Sequence, residues 1–546
     1  MTYFNLGNST CPVSTTSDQA QLWCDRGLIW TYGFHHEEAI TCFERALAAD
    51  PDCAFAHWGI AYAIGPNYNK GWIVFGEAEK PAALATAKAA LAKARSAQAK
   101  AWEHDLIAAL QQRFPEDPMV DDFAPYADAY ANAMRDVHRK HPDHLDVCAL
   151  FTEALMNRTP WQLWDLKTGE PAMGADTLEA RNVLETAFDT LPGAWDHPGL
   201  LHLYIHLMEM SPTPECALPH GDRLATLVPD AGHLLHMATH IDVLCGDYQN
   251  VIARNQLAYA ADQRYMDATG RADFYRLYVG HNLNFIIYGA MFLGQPEPAL
   301  RAADQMIALL PEEILRPMAN WFEAFIPMRQ HVLIRFGMWD EILDQTLPRD
   351  AELYSFTTAM MRYARAVAAA NLGCHDLALV ERDAFMSARV AIPEDRMLFN
   401  NSCHDILAIA QSMMLGEIAY KSGDRMAGIA HLRQAVHLDD TLAYDEPWGW
   451  MQPTRHALGA LLMDSGDHVA AEAVYRADLG LDTTLSRACQ HPGNVWSLHG
   501  LHECLNRRDE RVERPHIKQQ LDRALARATV PIQASCFCRT PLSEPA

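Results

Sequence analysis

His202 and His206 lie four residues apart, and so do His236 and His240. Each member of the first pair has its counterpart 34 residues further on (202 to 236, 206 to 240). Residues four apart share one helix face, and 34 residues is the length of one helix–turn–helix repeat. Equivalent positions of successive repeats also share one face of a stacked array. The spacing therefore predicts four imidazoles converging on one inner surface, which packing alone does not require. Nitrogen-rich donor sets suit iron, copper, zinc or nickel better than magnesium or calcium. Imidazoles on neighbouring helices, with axes about 8–10 Å apart, can share an ion at metal–nitrogen distances of about 2.0–2.1 Å. His202 with His206 is one expected half-site, and His236 with His240 is the other. Glu153 or Glu209 would add a carboxylate, as a ligand or as a general base beside metal-bound water. An open coordination position allows Lewis-acid work or activation of water or dioxygen.

The elements that must position these residues are helices. The chain has 546 residues, 49% hydrophobic and 21% charged, too long for one compact core and typical in composition of a folded protein. Alanine and leucine dominate and β-branched runs are sparse, which favours helix throughout. Trp23, Gly27, Trp30, Ala39, Phe43, Ala46 and Pro51 form one helical hairpin, closed by its proline. Helices are expected at 145–156 and 181–191, then at 198–210 with 217–228, and at 232–245 with 248–261. Further pairs are 281–293 with 298–310, 357–371 with 376–390, 406–421 with 425–437, 453–463 with 468–479, and a last pair within 494–528. Segment 65–72 reads as an inserted lid or a turn. The expected layout is an extension at 1–16, an array with the histidine cluster at 17–311, a second array at 312–528 and a poorly ordered tail at 529–546.

These residues resemble the tetratricopeptide (TPR) superfamily over most of 17–528. At finer grain, FHHEEAITCFERALAADPDCAFAHWGIAYAIGPNYN, HPGLLHLYIHLMEMS and GHLLHMATHIDVLCGDY look like a histidine-rich subgroup of bacterial TPR proteins without a settled activity. The resemblance implies an all-α, strongly curved superhelix of helical hairpins, with positions 2, 5, 9, 12 and 13 of each first helix facing a concave groove. Counting each closing proline as position 32, the inner stripe holds Glu153, Asn157, His202, His206, Glu209, His233, His236, His240, His281, Asn284 and Tyr288. His233, His281, Asn284 and Asn157 are then candidate substrate contacts, as is Arg455, whose guanidinium suits a carboxylate. His197 and His220 read as a helix-start residue and an outer-face residue. Tryptophan-rich turns at 160–165, 193–199 and 446–456 either enclose the groove or pack between helices.

Other signals narrow the function. The net charge of −25 opposes binding to nucleic acid or to anionic membranes. No run of 18 apolar residues predicts a transmembrane helix, and the polar start lacks a signal-peptide pattern. Scattered cysteines suit free thiols in a reducing cytoplasm; Cys536 and Cys538 are a weak metal signal in an expected frayed tail. HLYIH and HMATH lack the glutamate of a His-Glu-x-x-His protease motif. No phosphate loop, dinucleotide fingerprint or nucleophile elbow is present. The reading is a cytoplasmic metalloprotein that acts on a small molecule, hydrolytic with zinc or oxidative with iron or copper. The alternative is an adaptor that binds a peptide or protein partner in its groove. A lone histidine on a helix is more often structural, and 26 histidines allow chance clusters; the in-register repetition sets these four apart.

Overall fold

A computed structural model describes residues 3–117, 119–271 and 274–539. The chain is all-α, as its periodicity predicts. The only named strands among the described residues are Met397–Leu398 and Asn401–Ser402. Two compact units form: Met1–Ile241 with Leu257–Tyr275, and Asp242–Gln256 with Arg276–Ala546. The division expected between 311 and 312 instead falls inside the second unit, because helix Pro296–Leu309 packs on helix Met328–Arg335 across it.

The first unit begins with the helical hairpin that the sequence predicts. Helix α1 (Asp18–Tyr32) is capped by the Ser17 side chain, which accepts from the Ala20 N–H. It packs on α2 (His36–Ala49), which packs in turn on α3 (Ala54–Ala63). Small residues set this closeness: a Cβ at Gly27 or Gly59 would lie 2.7 or 2.5 Å from the buried Phe43 ring. Residues 79–140, to which the repeat register assigns nothing, fold as α4 (Glu79–Ser96), α5 (Ala101–Leu110) and α6 (Ala124–Lys140). Next come α7 (Leu145–Met156), α8 (Thr177–Thr190), α9 (Pro198–Met208) and α10 (Leu218–Leu224). Both α1 and α7 pack against α9. The expected extension is an ordered strap along this unit. Tyr3 Oη donates to Glu38 at 2.8 Å and accepts from Trp30 Nε1 at 2.9 Å, and Ser14 N–H donates to Glu103 at 2.9 Å.

The helix expected at 232–245 is two helices, α11 (Gly232–His236) and α12 (Ala238–Leu244). Thr239 Oγ1 donates to the His236 carbonyl at 2.7 Å, and His240 N–H bonds the Met237 carbonyl at 3.2 Å. A side-chain hydroxyl thus engages the carbonyl that a regular helix would give to the backbone four residues on. The longer α13 (Tyr248–Thr269) follows.

In the second unit the hairpins include Arg276–Leu293 with Pro296–Leu309, Ser355–Asn371 with His375–Val390, Cys403–Lys421 with Arg425–Asp439, and Thr454–Ser465 with His468–Leu479. The expected loose tail is a correction up to Arg539; residues 540–546 lie outside the described residues. Ser535 is buried: its hydroxyl is 2.6 Å from Tyr475 Oη, and its carbonyl accepts from the buried Arg335 at 2.7 Å. Docking gives one nitrogen of a buried guanidinium an acceptor, which offsets part of the cost of burying it. Cys536 and Cys538 are joined by a disulfide. Among the described residues, no helix is long and apolar enough to cross a membrane.

Candidate metal centre

Helix α9 carries the first histidine pair. Pro198 opens it, and His197 caps it by accepting from the Leu200 N–H at 3.2 Å. His197 is thus the helix-start residue that the sequence predicts. Gly199 lets α9 approach α1, since a Cβ there would lie 2.6 Å from the Tyr32 ring. That approach brings the Tyr32 carbonyl to His202 Nδ1, at 2.6 Å. A carbonyl only accepts, so Nδ1 bears the proton and Nε2 is the lone-pair nitrogen. His202 Nε2 is buried and has no hydrogen-bond partner among the described residues. Burial pushes the His202 pKa down to about 3, so the ring is neutral.

Glu209 follows α9 and is buried. Its Oε1 lies 3.0 Å from His206 Nδ1 and its Oε2 lies 2.7 Å from His240 Nδ1. An ionised carboxylate only accepts, so both imidazoles donate from Nδ1 and carry their lone pairs on Nε2. Carboxylates and carbonyls fix the tautomer of metal-binding histidines in this way. Across the helix step, His236 Nε2 and His240 Nε2 are 2.7 Å apart.

His202, His206 and His233 each place one nitrogen within 4.8 Å of the others. Their ring centroids are 4.8 Å apart for His202 and His206, and 5.0 Å for His202 and His233. Burial and the neighbouring imidazoles, His202 foremost among them, hold the His233 pKa well below its ordinary value. His233 thus lies with the first pair, where the repeat register places it among the substrate contacts. His206, Glu209 and His240 also converge within 4.8 Å. The Phe34 ring packs 4.6 Å from His202, Tyr68 packs 5.0 Å from His206, and Trp161 packs 5.8 Å from His206. Phe34 and Trp161 adopt φ of 54° and 61°, a left-handed backbone that costs non-glycine residues about 1–2 kcal/mol. Such strain concentrates at functional sites. Of these three rings, Trp161 lies in a turn that the sequence marks as a possible wall, and Tyr68 lies in segment 65–72, read as a lid or a turn.

The remaining candidates have surroundings of their own. Glu153 accepts from Tyr62 Oη at 2.5 Å and from Asn157 Nδ2 at 3.2 Å. Burial raises its pKa, against the pull of Arg113. It belongs to no convergent donor group among the described residues. His281 and Asn284 are buried on helix Arg276–Leu293 of the second unit, where the His281 ring packs against Phe285 and Phe399. Arg455 is paired with Asp440, at 2.7 Å for one of its two contacts, so a carboxylate of its own unit already occupies the guanidinium. His220, expected on an outer face, is buried among Trp195, Tyr204 and Phe188. Trp450 packs between His331 and Tyr363.

Fold and site together define an all-α helical-hairpin protein with a buried histidine cluster. No protein-family model matches the chain, and no curated protein does. Among solved structures, it is similar to a chain of the APC/C hetero-tetramer Cut9–Hcn1, at 14% identity and a TM-score of 0.26 over 97% of each chain. It is also similar to a chain of Naa15/Naa10 bound to HypK-THB, at 13% identity and a TM-score of 0.22, over 92% of this chain and 70% of that one.

Proposed function

We propose that the first unit is a metalloprotein in which His202, His206 and His233 hold one divalent transition-metal ion: iron, copper or zinc. The observation that carries this reading is the convergence of three histidine nitrogens within 4.8 Å, two of the rings having Nδ1 engaged by a fixed acceptor. Even at that outer separation, each nitrogen moves inward by less than about 1 Å to reach a metal–nitrogen bond of about 2.0–2.1 Å. Glu209 acts as a positioning residue that aims His206 and His240, with His236 and His240 completing the polar wall. Glu153 lies outside the donor set and takes no part in binding.

Bound metal would supply Lewis acidity for hydrolysis if zinc, or redox chemistry with dioxygen if iron or copper. A small molecule fits the donors better than an extended peptide does. His202, His206 and His236 are 0% exposed, whereas an adaptor must present its inner positions to a partner. The test is elemental analysis of untagged protein purified without chelator or nickel resin. One equivalent of iron, copper or zinc should be lost on combining His206→Ala with His240→Ala, with helical circular dichroism retained. A full metal complement in that variant would refute the assignment.

A further inference from the structure

A second donor cluster lies in the first unit and shares no side chain with the histidine site. Cys11 comes from the N-terminal strap, and His144 and Asp146 come from the start of α7. One ligand atom of each lies within 4.8 Å of the other two. Cys11 and Asp146 are 2% and 8% exposed, while the His144 side chain is 25% exposed. Two donors are sheltered, and the third borders solvent and offers a way in.

The surroundings fix these donors. Tyr32 Oη donates to Asp146 Oδ1 at 2.7 Å, and His197 Nε2–H donates to the same oxygen at 3.1 Å. His197 donates there because its Nδ1 is already the acceptor of the Leu200 N–H. Asp146 Oδ2 faces His144 Nδ1 at 3.8 Å, too far for a hydrogen bond. That nitrogen is buried and has no hydrogen-bond partner among the described residues. The His144 ring rests 4.4 Å from Trp102, and Cys11 N–H is held by Asp25 at 2.9 Å. A carboxylate oxygen and an imidazole nitrogen thus face each other across a gap beside a thiol, with the other oxygen of Asp146 already engaged.

We propose that Cys11, His144 and Asp146 form a second metal site, which takes a zinc-class divalent ion and pins the N-terminal strap to α7. A thiolate, an imidazole and a carboxylate are all zinc donors, at about 2.3, 2.0–2.1 and 2.0–2.2 Å. The sulfur selects against magnesium and calcium. Water takes the fourth position, and the Cys11 thiol gives its proton to solvent as the metal–sulfur bond forms. The site stands independently of the histidine centre.

The test is titration of the metal-free full chain with cobalt(II). The expected result is a sulfur-to-cobalt charge-transfer band in the near ultraviolet that saturates within two equivalents, the histidine centre taking up the other ion. Cys11→Ser should abolish the band, His144→Gln should weaken cobalt binding roughly tenfold or more, and the His206→Ala/His240→Ala variant should keep it. Absence of the band in the unaltered chain, or its survival in Cys11→Ser, overturns the proposal. If Cys11→Ser fails to fold by circular dichroism, His144→Gln decides: unchanged cobalt affinity there overturns the site.

Discussion

Glu209 shows how one side chain can set the chemistry of two others. Each carboxylate oxygen accepts from a different histidine, 3.0 Å from His206 and 2.7 Å from His240. Glu209→Gln would keep the shape but replace one acceptor with an NH2 donor that opposes an imidazole N–H. Metal affinity should fall about 10–100-fold, as read by chelator competition; unchanged affinity would remove Glu209 as the positioning group. Glu153→Gln is the control. Its carboxyl is tied to Tyr62 and Asn157, so the same assay should show wild-type affinity. Sequence placed both glutamates on the inner stripe, because register reports which face a residue occupies. It could not separate them, since the second imidazole at Glu209 arrives from a helix 31 residues away.

Two local devices in the elements aim the donors. Gly199 permits the contact between α1 and α9, and through it the Tyr32 carbonyl that fixes the His202 tautomer. Gly199→Ala would drive a methyl group into the Tyr32 ring, and overpacking of this kind costs about 1–3 kcal/mol. A lowered urea midpoint together with weaker metal binding is expected; unchanged values in both would show that α9 is not held by this contact. The other device is the step between α11 and α12. Thr239→Val removes the hydroxyl that engages the His236 carbonyl, so the regular helix bond can form across the step. The variant should retain or gain stability while losing about tenfold in metal affinity, because His240 turns away from Glu209, the carboxylate that also aims His206. Equal losses in both quantities would count against a local role. Helix periodicity predicts the two helices as one, since the pattern from Gly232 to Cys245 contains no proline, and the break rests on a single threonine hydroxyl.

At the scale of the whole molecule, buried neutral histidines make stability depend on pH. Burial lowers His36 and His331 to about 3 and His456 to about 4, the last against the pull of Asp478. Each folded value lies below the unfolded value of about 6.5, so on acidification the unfolded chain binds protons that the folded chain does not. This contribution to stability is complete above pH 6.5 and falls as the pH descends towards 3–4, by about 1.4 kcal/mol per pH unit for each group. Urea midpoints should therefore drop steadily below pH 6.5, and a flat profile from pH 7 to 5 would contradict these burials. The sequence by itself determined the helical class and most hairpin boundaries, because each follows from local periodicity and a 34-residue register. Only the tertiary structure decided that His233 joins His202 and His206, that Phe34 and Tyr68 wall the cluster, and that Cys11 meets His144 and Asp146. Those meetings depend on how closely helices approach and where loops and the N-terminal strap return. Distances of that kind are set by packing between residues far apart in the chain, and no local pattern encodes them.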